Sequence, residues 1–318
     1  MSGPVLVAPD KFKGTFSAAE VAAAIAGGLR AGGREAVELP VADGGEGTME
    51  VLGGESRTAQ ASDPLGRPIR GRFALLPDGR AVVEVAEASG LARLHEDERD
   101  PWAASTRGTG ELIVAAAEAG AREVVVAAGG SATTDGGAGA LAVLDEAGVR
   151  PRLVVASDVR TAWEDAPRMF APQKGADPAT VKRLEQRLDE LAAAAPKDPR
   201  GVPMTGCAGG LGGGLWAHRG AQLVSGAALV LDAIGFDAAM RAARFVVTGE
   251  GRIDGGTLAG KAAGEVATRC RQGGVGCHAV VGVNALDPFR ARVLDLQTVT
   301  VAGTLAELEA AGRALAER

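Results

Sequence analysis

VVVAAGGSATTDGGAGA, Val124 to Ala140, is the stretch on which the reading of this chain turns. A short β-branched run meets a glycine-rich turn and then an alanine-rich segment, which reads as strand, turn and helix. Between Gly129 and Gly139 lie five glycines, three hydroxyls (Ser131, Thr133, Thr134) and one carboxylate, Asp135. Such a turn exposes backbone N–H groups at the start of a helix and makes an anion cradle. Asp135 before Gly136 also suits a helix cap, and the sequence leaves both readings open. Strand–turn–helix units build parallel sheets, whose ligands lie beyond the carboxyl ends of the strands.

The same pattern appears on either side. Val5 to Ala8 reads as a buried strand. Ser17-x-x-Glu20 is a capping box, opening a helix with Val21, Ile25 and Leu29 on one face and ending at Gly32 and Gly33. A second strand is expected over Ala36 to Val41. Arg57 to Ala61, Ile69 to Leu76 and Ala81 to Ala86 read as short strands joined by Asp63-Pro64-Leu65-Gly66 and Pro77-Asp78-Gly79, turns that suit antiparallel pairing. From Thr109 the alternation of strand and helix returns, with strands at Val124, at Leu153 to Ala156, and later at Phe245 to Thr248, His278 to Val283 and Thr298 to Ala302. Asp177-Pro178 starts a helix as cap and first-turn proline, and Thr304 caps a last one. The expected fold class is therefore α/β with two domains. An outer discontinuous domain with a mainly parallel sheet takes residues 1–54 and 225–318, and a second α/β domain, 55–224, is inserted. The glycine turns are expected to face the crevice between them.

Composition narrows the function. At 318 residues and 46% apolar, the chain has core enough for two domains. A net charge of −6 argues against a nucleic-acid or membrane surface. Three isolated cysteines, Cys207, Cys270 and Cys277, make neither a disulfide framework nor a CxxC metal pair and fit a reducing, cytoplasmic setting. The start MSGPVLVAPDKFKG lacks a long apolar stretch behind a basic head, so no leader or membrane span is read there. His95, His218 and His278 share no ligand spacing, which speaks against zinc and against a Ser-His-Asp hydrolase; His278 reads as core. Of six lysines, Lys11, Lys13, Lys174 and Lys261 lie in or beside the conspicuous loops. A compact ammonium suits a phosphate.

Three further runs share the glycine chemistry: ADGGEGT (Ala42 to Thr48), CAGGLGGG (Cys207 to Gly214) and GEGRIDGG (Gly249 to Gly256). In APDKFKG (Ala8 to Gly14), Asp10 can bind a metal or hold a substrate hydroxyl, while Lys11 or Lys13 neutralises phosphate. Asp43 and Glu46, three apart, can face one point and hold Mg²⁺, although Asp43 as a simple cap remains open. Asp158 emerges from a strand end, and Lys174 sits beside Gly175 in PQKGA. Gly255-x4-Gly260-Lys261 has Walker A spacing, but Ala262 stands where Ser or Thr is needed, so a standard P-loop is not expected. No GxGxxG follows the first strand, which lowers the case for an oxidoreductase.

APDKFKG, PVADGGEGT, DPLGR, AEASGL, TRGTGELI, GGSATTDGGAG, PQKGA, AGGLGGGL and TGEGRIDGGTLAGKA together resemble the glycerate kinase family, in its bacterial 2-phosphoglycerate-forming type, from about Val5 to about Val283. The resemblance implies a two-domain α/β enzyme that uses ATP and Mg²⁺ to phosphorylate D-glycerate in a cleft between its domains. This chain is shorter than the family pattern between the GGAG turn and Asp158, and Ser157 replaces the usual cysteine. On this reading Gly129, Gly130, Ser131, Thr133 and Lys174 contact the nucleotide, and Asp43, Glu46 and Glu250 are metal candidates. Lys13 and Lys261 neutralise charge, Asp10 or Asp158 accepts the hydroxyl proton, and Arg107 and Arg252 clamp the glycerate carboxylate. A kinase for another small hydroxy or sugar acid, or a non-enzymatic binder of anionic metabolites, are the alternatives. A homo-oligomeric state is left open.

Overall fold

The computed structural model describes residues 3–318. Its strands, in chain order, are β1 (Val5–Pro9), β2 (Ala36–Glu38), β3 (Glu55–Ser62), β4 (Pro68–Leu75), β5 (Arg80–Glu84), β6 (Glu123–Ala127), β7 (Arg152–Ser157), β8 (Gln222–Ser225), β9 (Val246–Ile253), β10 (Cys277–Asn284) and β11 (Leu296–Val301). The chain forms two compact units. One takes the chain up to Asp43 and again Gly226–Arg318; the other is Gly44–Ser225. The sequence expectation drew the first divide after residue 54. Residues 44–54 go with the second unit because the helix Thr48–Leu52 packs on β5, its Met49 N–H donating to the Glu84 carboxylate at 2.7 Å. No helix among the described residues is long and apolar enough to cross a membrane.

In the first unit the sheet order is β11-β10-β9-β1-β2, parallel throughout. All five residues of β1 are buried, as a central strand covered on both faces requires. Alternation sends Val5 and Val7 to one face, against Val21, Ile25 and Leu29 of the helix Ala18–Ala31 and Leu308 and Leu315 of the helix Leu305–Ala316. Leu6 and Ala8 go to the other, against Phe236 and against Val266 of the helix Ala262–Gly273. The first two helices touch backbone to backbone: a Cβ built on Gly312 would lie 2.1 Å from the Ile25 carbonyl oxygen. The first carries the capping box the sequence announces, Ser17 with Glu20, and at the second the expected Thr304 cap forms a box with Glu307. β2 is shorter than expected because Pro40 has no N–H for the ladder. Even so, Leu39 and Val41 still donate to Val7 and Pro9, at 2.8 and 3.0 Å.

In the second unit the order is β3-β4-β5-β6-β7-β8. The first three strands pair antiparallel and the rest parallel. The expected turns make the antiparallel part: Asp63 Oδ1 accepts the N–H groups of Leu65 and Arg67, both at 2.9 Å, which closes the β3–β4 connection. β8 was not anticipated, since its four half-exposed residues show no apolar alternation. The core gathers Val83, Leu112, Ile113, Val124, Val126, Leu144, Val155 and Leu211 around the parallel half.

Candidate active site

In the first unit, β9, β1 and β2 are neighbours running the same way, so their carboxyl ends share one edge of the sheet, and each delivers an acid. Asp10 follows β1, Asp43 lies beyond β2, and Glu250 is within β9. The backbone fixes this register: Asp10 N–H donates to the Gly249 carbonyl at 2.8 Å. Asp10 is buried, and its carboxylate accepts the Lys11 N–H at 2.7 Å. Burial, and then the charge of Asp43, push the Asp10 carboxyl well above the ordinary range. The Lys11 backbone and charge pull the other way, and Glu250 adds to the rise. A carboxylate so placed holds a proton more tightly than a free one, which suits it to accept one.

Glu250 is also buried, and its two oxygens are taken by Thr257 Oγ1 at 2.6 Å and Lys261 Nζ at 3.2 Å. Burial raises its pKa; the charge of Lys261 and the two hydrogen bonds oppose the rise. The strand here runs to Ile253 instead of ending at Thr248, so GEGRI is not a turn, and Glu250 and Arg252 are strand residues. Arg252 is exposed, 3.5 Å from Asp254. Lys13 is exposed in the turn closed by Phe12 N–H on the Phe16 carbonyl at 2.9 Å. Lys261 is the N-cap of the helix Ala262–Gly273, its ammonium turned to Glu250 and, at 3.9 Å, to Asp254. His278 is core, as read from the sequence: it is buried, its Nδ1 lies 2.7 Å from Thr298 Oγ1, and it stands edge-on to Phe245.

In the second unit the Gly129–Gly139 turn follows β6, as expected. A Cβ built on Gly129 would lie 2.5 Å from Gly45 Cα, and one on Gly130, where φ is +74°, 2.5 Å from Glu46 Oε1. The segment around Gly45 and Glu46 therefore lies directly on this turn and brings the Glu46 carboxylate to it. Gly129, Gly130 and Ser131 are half-buried, whereas Thr133 is fully buried, its hydroxyl 3.2 Å from Ser131 Oγ and 3.5 Å from the Ala208 carbonyl. Thr133, expected at the nucleotide, supports the turn from within. Lys174, expected there too, is 3% exposed; its Nζ donates to the Thr133 carbonyl at 2.6 Å and to Ser131 Oγ at 3.4 Å.

Asp135 resolves as a cap. Its carboxylate accepts from Thr106 N and Oγ1, both at 2.8 Å, from Gly137 N at 3.1 Å and from Gly139 N at 3.2 Å. The positive end of the helix Ala138–Ala147 is already met by this carboxylate. The surface left to an outside anion is Gly129–Ser131, not the helix terminus.

Two stretches expected at the site make other contacts in this structure. CAGGLGGG is not an anion turn: Cβ atoms on Gly209, Gly213 and Gly214 would lie 1.9 Å from the Thr133 carbonyl oxygen, 2.4 Å from the Trp163 ring and 2.1 Å from the Gly136 carbonyl oxygen. Those glycines let the helix Leu211–Arg219 lie against the turn. Arg107 opens the helix Arg107–Glu118 and spends its guanidinium on Glu111 at 3.1 Å and Glu146 at 2.9 Å. Glu146 is near the far end of the helix Ala138–Ala147, so Arg107 is drawn away from the turn.

Asp158 is half-buried just past β7, and its charge acts on Cys207, whose buried thiol is pushed up to about 12 chiefly by loss of hydration. A cavity of about 600 Å³ opens beside Glu46 and Gly47, lined also by Arg72, Glu84, Glu87 and Arg93. It lies at the carboxyl end of β5, where open parallel sheets bind ligands. Another of about 450 Å³ sits at the opposite ends, by Arg80 and Glu123. Glu84 and Glu87, acids set within the apolar run Ala81 to Ala88, line the larger cavity, with Glu84 bonded to Met49 N–H and Glu87 paired with Arg72 and Arg93. Among the described residues, no group of three or more His, Cys, Asp or Glu is arranged to hold a metal ion.

The model of the glycerate kinase family matches residues 5–151 and 144–316. Glycerate 2-kinase of Escherichia coli K12 is 38% identical over 81% of this chain and 79% of its own length. Glycerate kinase of Bacillus subtilis 168 is 39% identical over the same shares. A crystal structure of a putative glycerate kinase 2 from Salmonella typhimurium LT2 superposes with a TM-score of 0.82 at 30% identity, covering 100% of this chain and 98% of that one.

Proposed function

The chain belongs to the glycerate kinase family, and on that premise we propose that it transfers the γ-phosphoryl group of ATP to a hydroxyl of D-glycerate, with 2-phosphoglycerate as the product. The observation that carries this reading is Asp10. It is a buried carboxyl of raised proton affinity at the carboxyl end of a central parallel strand, with Asp43 acting on it and a cationic turn, Lys11 to Lys13, beginning at its side. Phosphoryl transfer asks the protein for positioning, charge neutralisation and a place for the hydroxyl proton. Asp10 is the proposed acceptor of that proton, Lys13 a neutraliser of phosphate charge, and Arg252 the proposed clamp on the glycerate carboxylate. Lys261, held by Glu250 and Asp254, is a reserve of positive charge at a helix start.

In the second unit Gly129, Gly130 and Ser131 are the proposed contacts to the triphosphate, and Glu46 against Gly130 a carboxylate within reach of the same turn. The donor sets fit magnesium, which takes one or two carboxylates and completes its shell with water and phosphate oxygens, so that a closed protein cage is not required. Asp43 is the proposed carboxylate in the first unit. Glu250 is a proposed carboxylate of the same edge, its oxygens held by Thr257 and Lys261. Bound magnesium would offset the negative charge of the phosphates.

A second reading, a kinase for another small hydroxy acid, is favoured by one feature. The family match breaks into two stretches that overlap at residues 144–151, where only a short turn joins the helix Ala138–Ala147 to β7. Incubation with ATP, Mg²⁺ and a panel of hydroxy acids, with ADP release followed and the product read by proton and phosphorus NMR, decides both points. D-glycerate should be the preferred acceptor and carry phosphate on its second carbon. Better turnover on a different acid removes the glycerate assignment, and ligand-induced melting shifts without ADP remove the enzyme.

A further inference from the structure

We infer that Lys174 is a positioning residue for the nucleotide, fixing from beneath the turn the Thr133 carbonyl and the Ser131 hydroxyl so that the Gly129–Ser131 surface keeps its shape when phosphate binds. The inference rests on the ATP-dependent reading above and gives Lys174 a different task from the direct contact that its sequence suggests. The ammonium is too deeply buried to meet a ligand itself. Its place is set by the 3₁₀ turn Pro172–Lys174 and by Gly175, whose φ of +98° reverses the chain beneath the glycine turn. From there Nζ reaches Thr133 O at 2.6 Å and Ser131 Oγ at 3.4 Å, while Ser131 Oγ also accepts the Thr133 N–H at 3.1 Å. One cation thus closes a ring of bonds with Ser131 and Thr133 of the turn.

Filling space does not require a charge there, since a methionine would occupy the same volume without the penalty of burying an ammonium. The segment Gly129 to Gly139 contains no basic residue of its own. Lys174 puts positive charge behind a surface proposed to meet a triphosphate, in an interior where charge is weakly screened. The groups facing it are the Asp135 carboxylate and the Cys207 thiol. Asp135 is already satisfied by four donors, so Lys174 is not needed to pair it.

The test compares wild type, K174M and K174R: affinity for MgATP by calorimetry, KM for ATP and for glycerate, kcat, and melting by tryptophan fluorescence. K174M should weaken MgATP binding and raise KM for ATP by about tenfold or more, as loss of a charged hydrogen bond at a preorganised loop does. KM for glycerate should stay within about twofold and K174R should recover much of the ATP affinity, because the charge is kept. Should K174M fail to fold, K174Q, which keeps donors without the charge, serves in its place. Unchanged MgATP affinity overturns the inference, and so does a fall in melting temperature with a parallel rise in both KM values, which marks a purely structural lysine. Absence of MgATP binding in the wild type itself removes the ATP reading and the inference with it, an outcome distinct from either variant result.

Discussion

Replacing Lys174 by methionine should change how the stability of the second unit depends on pH. Loss of hydration lowers the pKa of Lys174 from 10.5 to about 8, against the opposing influence of Asp135 and Cys207. Each tenfold change in proton affinity is worth about 1.4 kcal/mol, so holding this charge costs about 3 kcal/mol relative to the unfolded chain. Below pH 8 folded and unfolded chains both carry the proton, and the cost is present in full. Between about pH 8 and 10.5 the unfolded chain keeps a proton that the folded one has released, so stability rises with pH. K174M lacks this group but leaves the Thr133 carbonyl without its donor, a loss of about 1–3 kcal/mol. The two effects offset near pH 7, where the variant and wild type should agree to within ~2 kcal/mol. On going to pH 10 the wild type should gain about 2–3 kcal/mol on the variant. Urea unfolding followed by fluorescence measures this in the right place, because Trp102, Trp163 and Trp216 all belong to the second unit. Groups common to both proteins cancel in the difference. A difference that stays flat from pH 7 to 10 would refute the reasoning, since it would mean that the ammonium is not desolvated.

Asp10→Asn should lower kcat by about two orders of magnitude or more, the usual worth of a positioned base. Its melting temperature should hold or rise, because a buried carboxylate under the charge of Asp43 is replaced by a neutral group; near-normal kcat with reduced melting would make Asp10 a structural residue. Gly129→Ala sets a methyl 2.5 Å from Gly45 Cα, backbone against which nothing can rotate away. The shift of the turn should cost about 1–3 kcal/mol and raise KM for ATP; a wild-type KM would detach the turn from the nucleotide. Arg107→Ala removes exposed ion pairs worth no more than about 1 kcal/mol and should leave KM for glycerate unchanged. A tenfold rise in that constant would return Arg107 to the substrate.

Much of the fold was legible because its signals are local. The capping box at Ser17, the caps at Thr304 and Asp177 and the turns at Asp63 and Pro77 each spell themselves out within a few residues. What was not legible depended on distant chain. Glycine marks either a reversal of the backbone or a surface something else must touch, and sequence does not separate the two. Position 249, within a strand, takes glycine because the Val280 carbonyl stands where a Cβ would be, and position 214, within a helix, because the Gly136 carbonyl does the same. Reading both runs as turns followed from glycine content alone. Asp135 looked equally like cap or site until Thr106, far away in sequence, supplied two donors. Thr133 was chosen for its hydroxyl, and only Ala208 and Lys174, brought in from elsewhere, show that the hydroxyl faces inward. At the Asp10 edge the reading was easier, since acids just past strand ends of a parallel sheet converge by topology.

The place of β1 has a consequence for synthesis on the ribosome. This strand is wholly buried between β2 and β9, and its partner β9 begins at Val246. At translation rates of roughly 5–20 residues per second, the nascent apolar segment waits roughly 10–50 seconds for that neighbour to be made. Gly44–Ser225 is one continuous piece of chain and can mature during the delay. A chaperone that shields the early segment should therefore raise the yield of active protein, whereas speeding elongation past Val246 should spare that need.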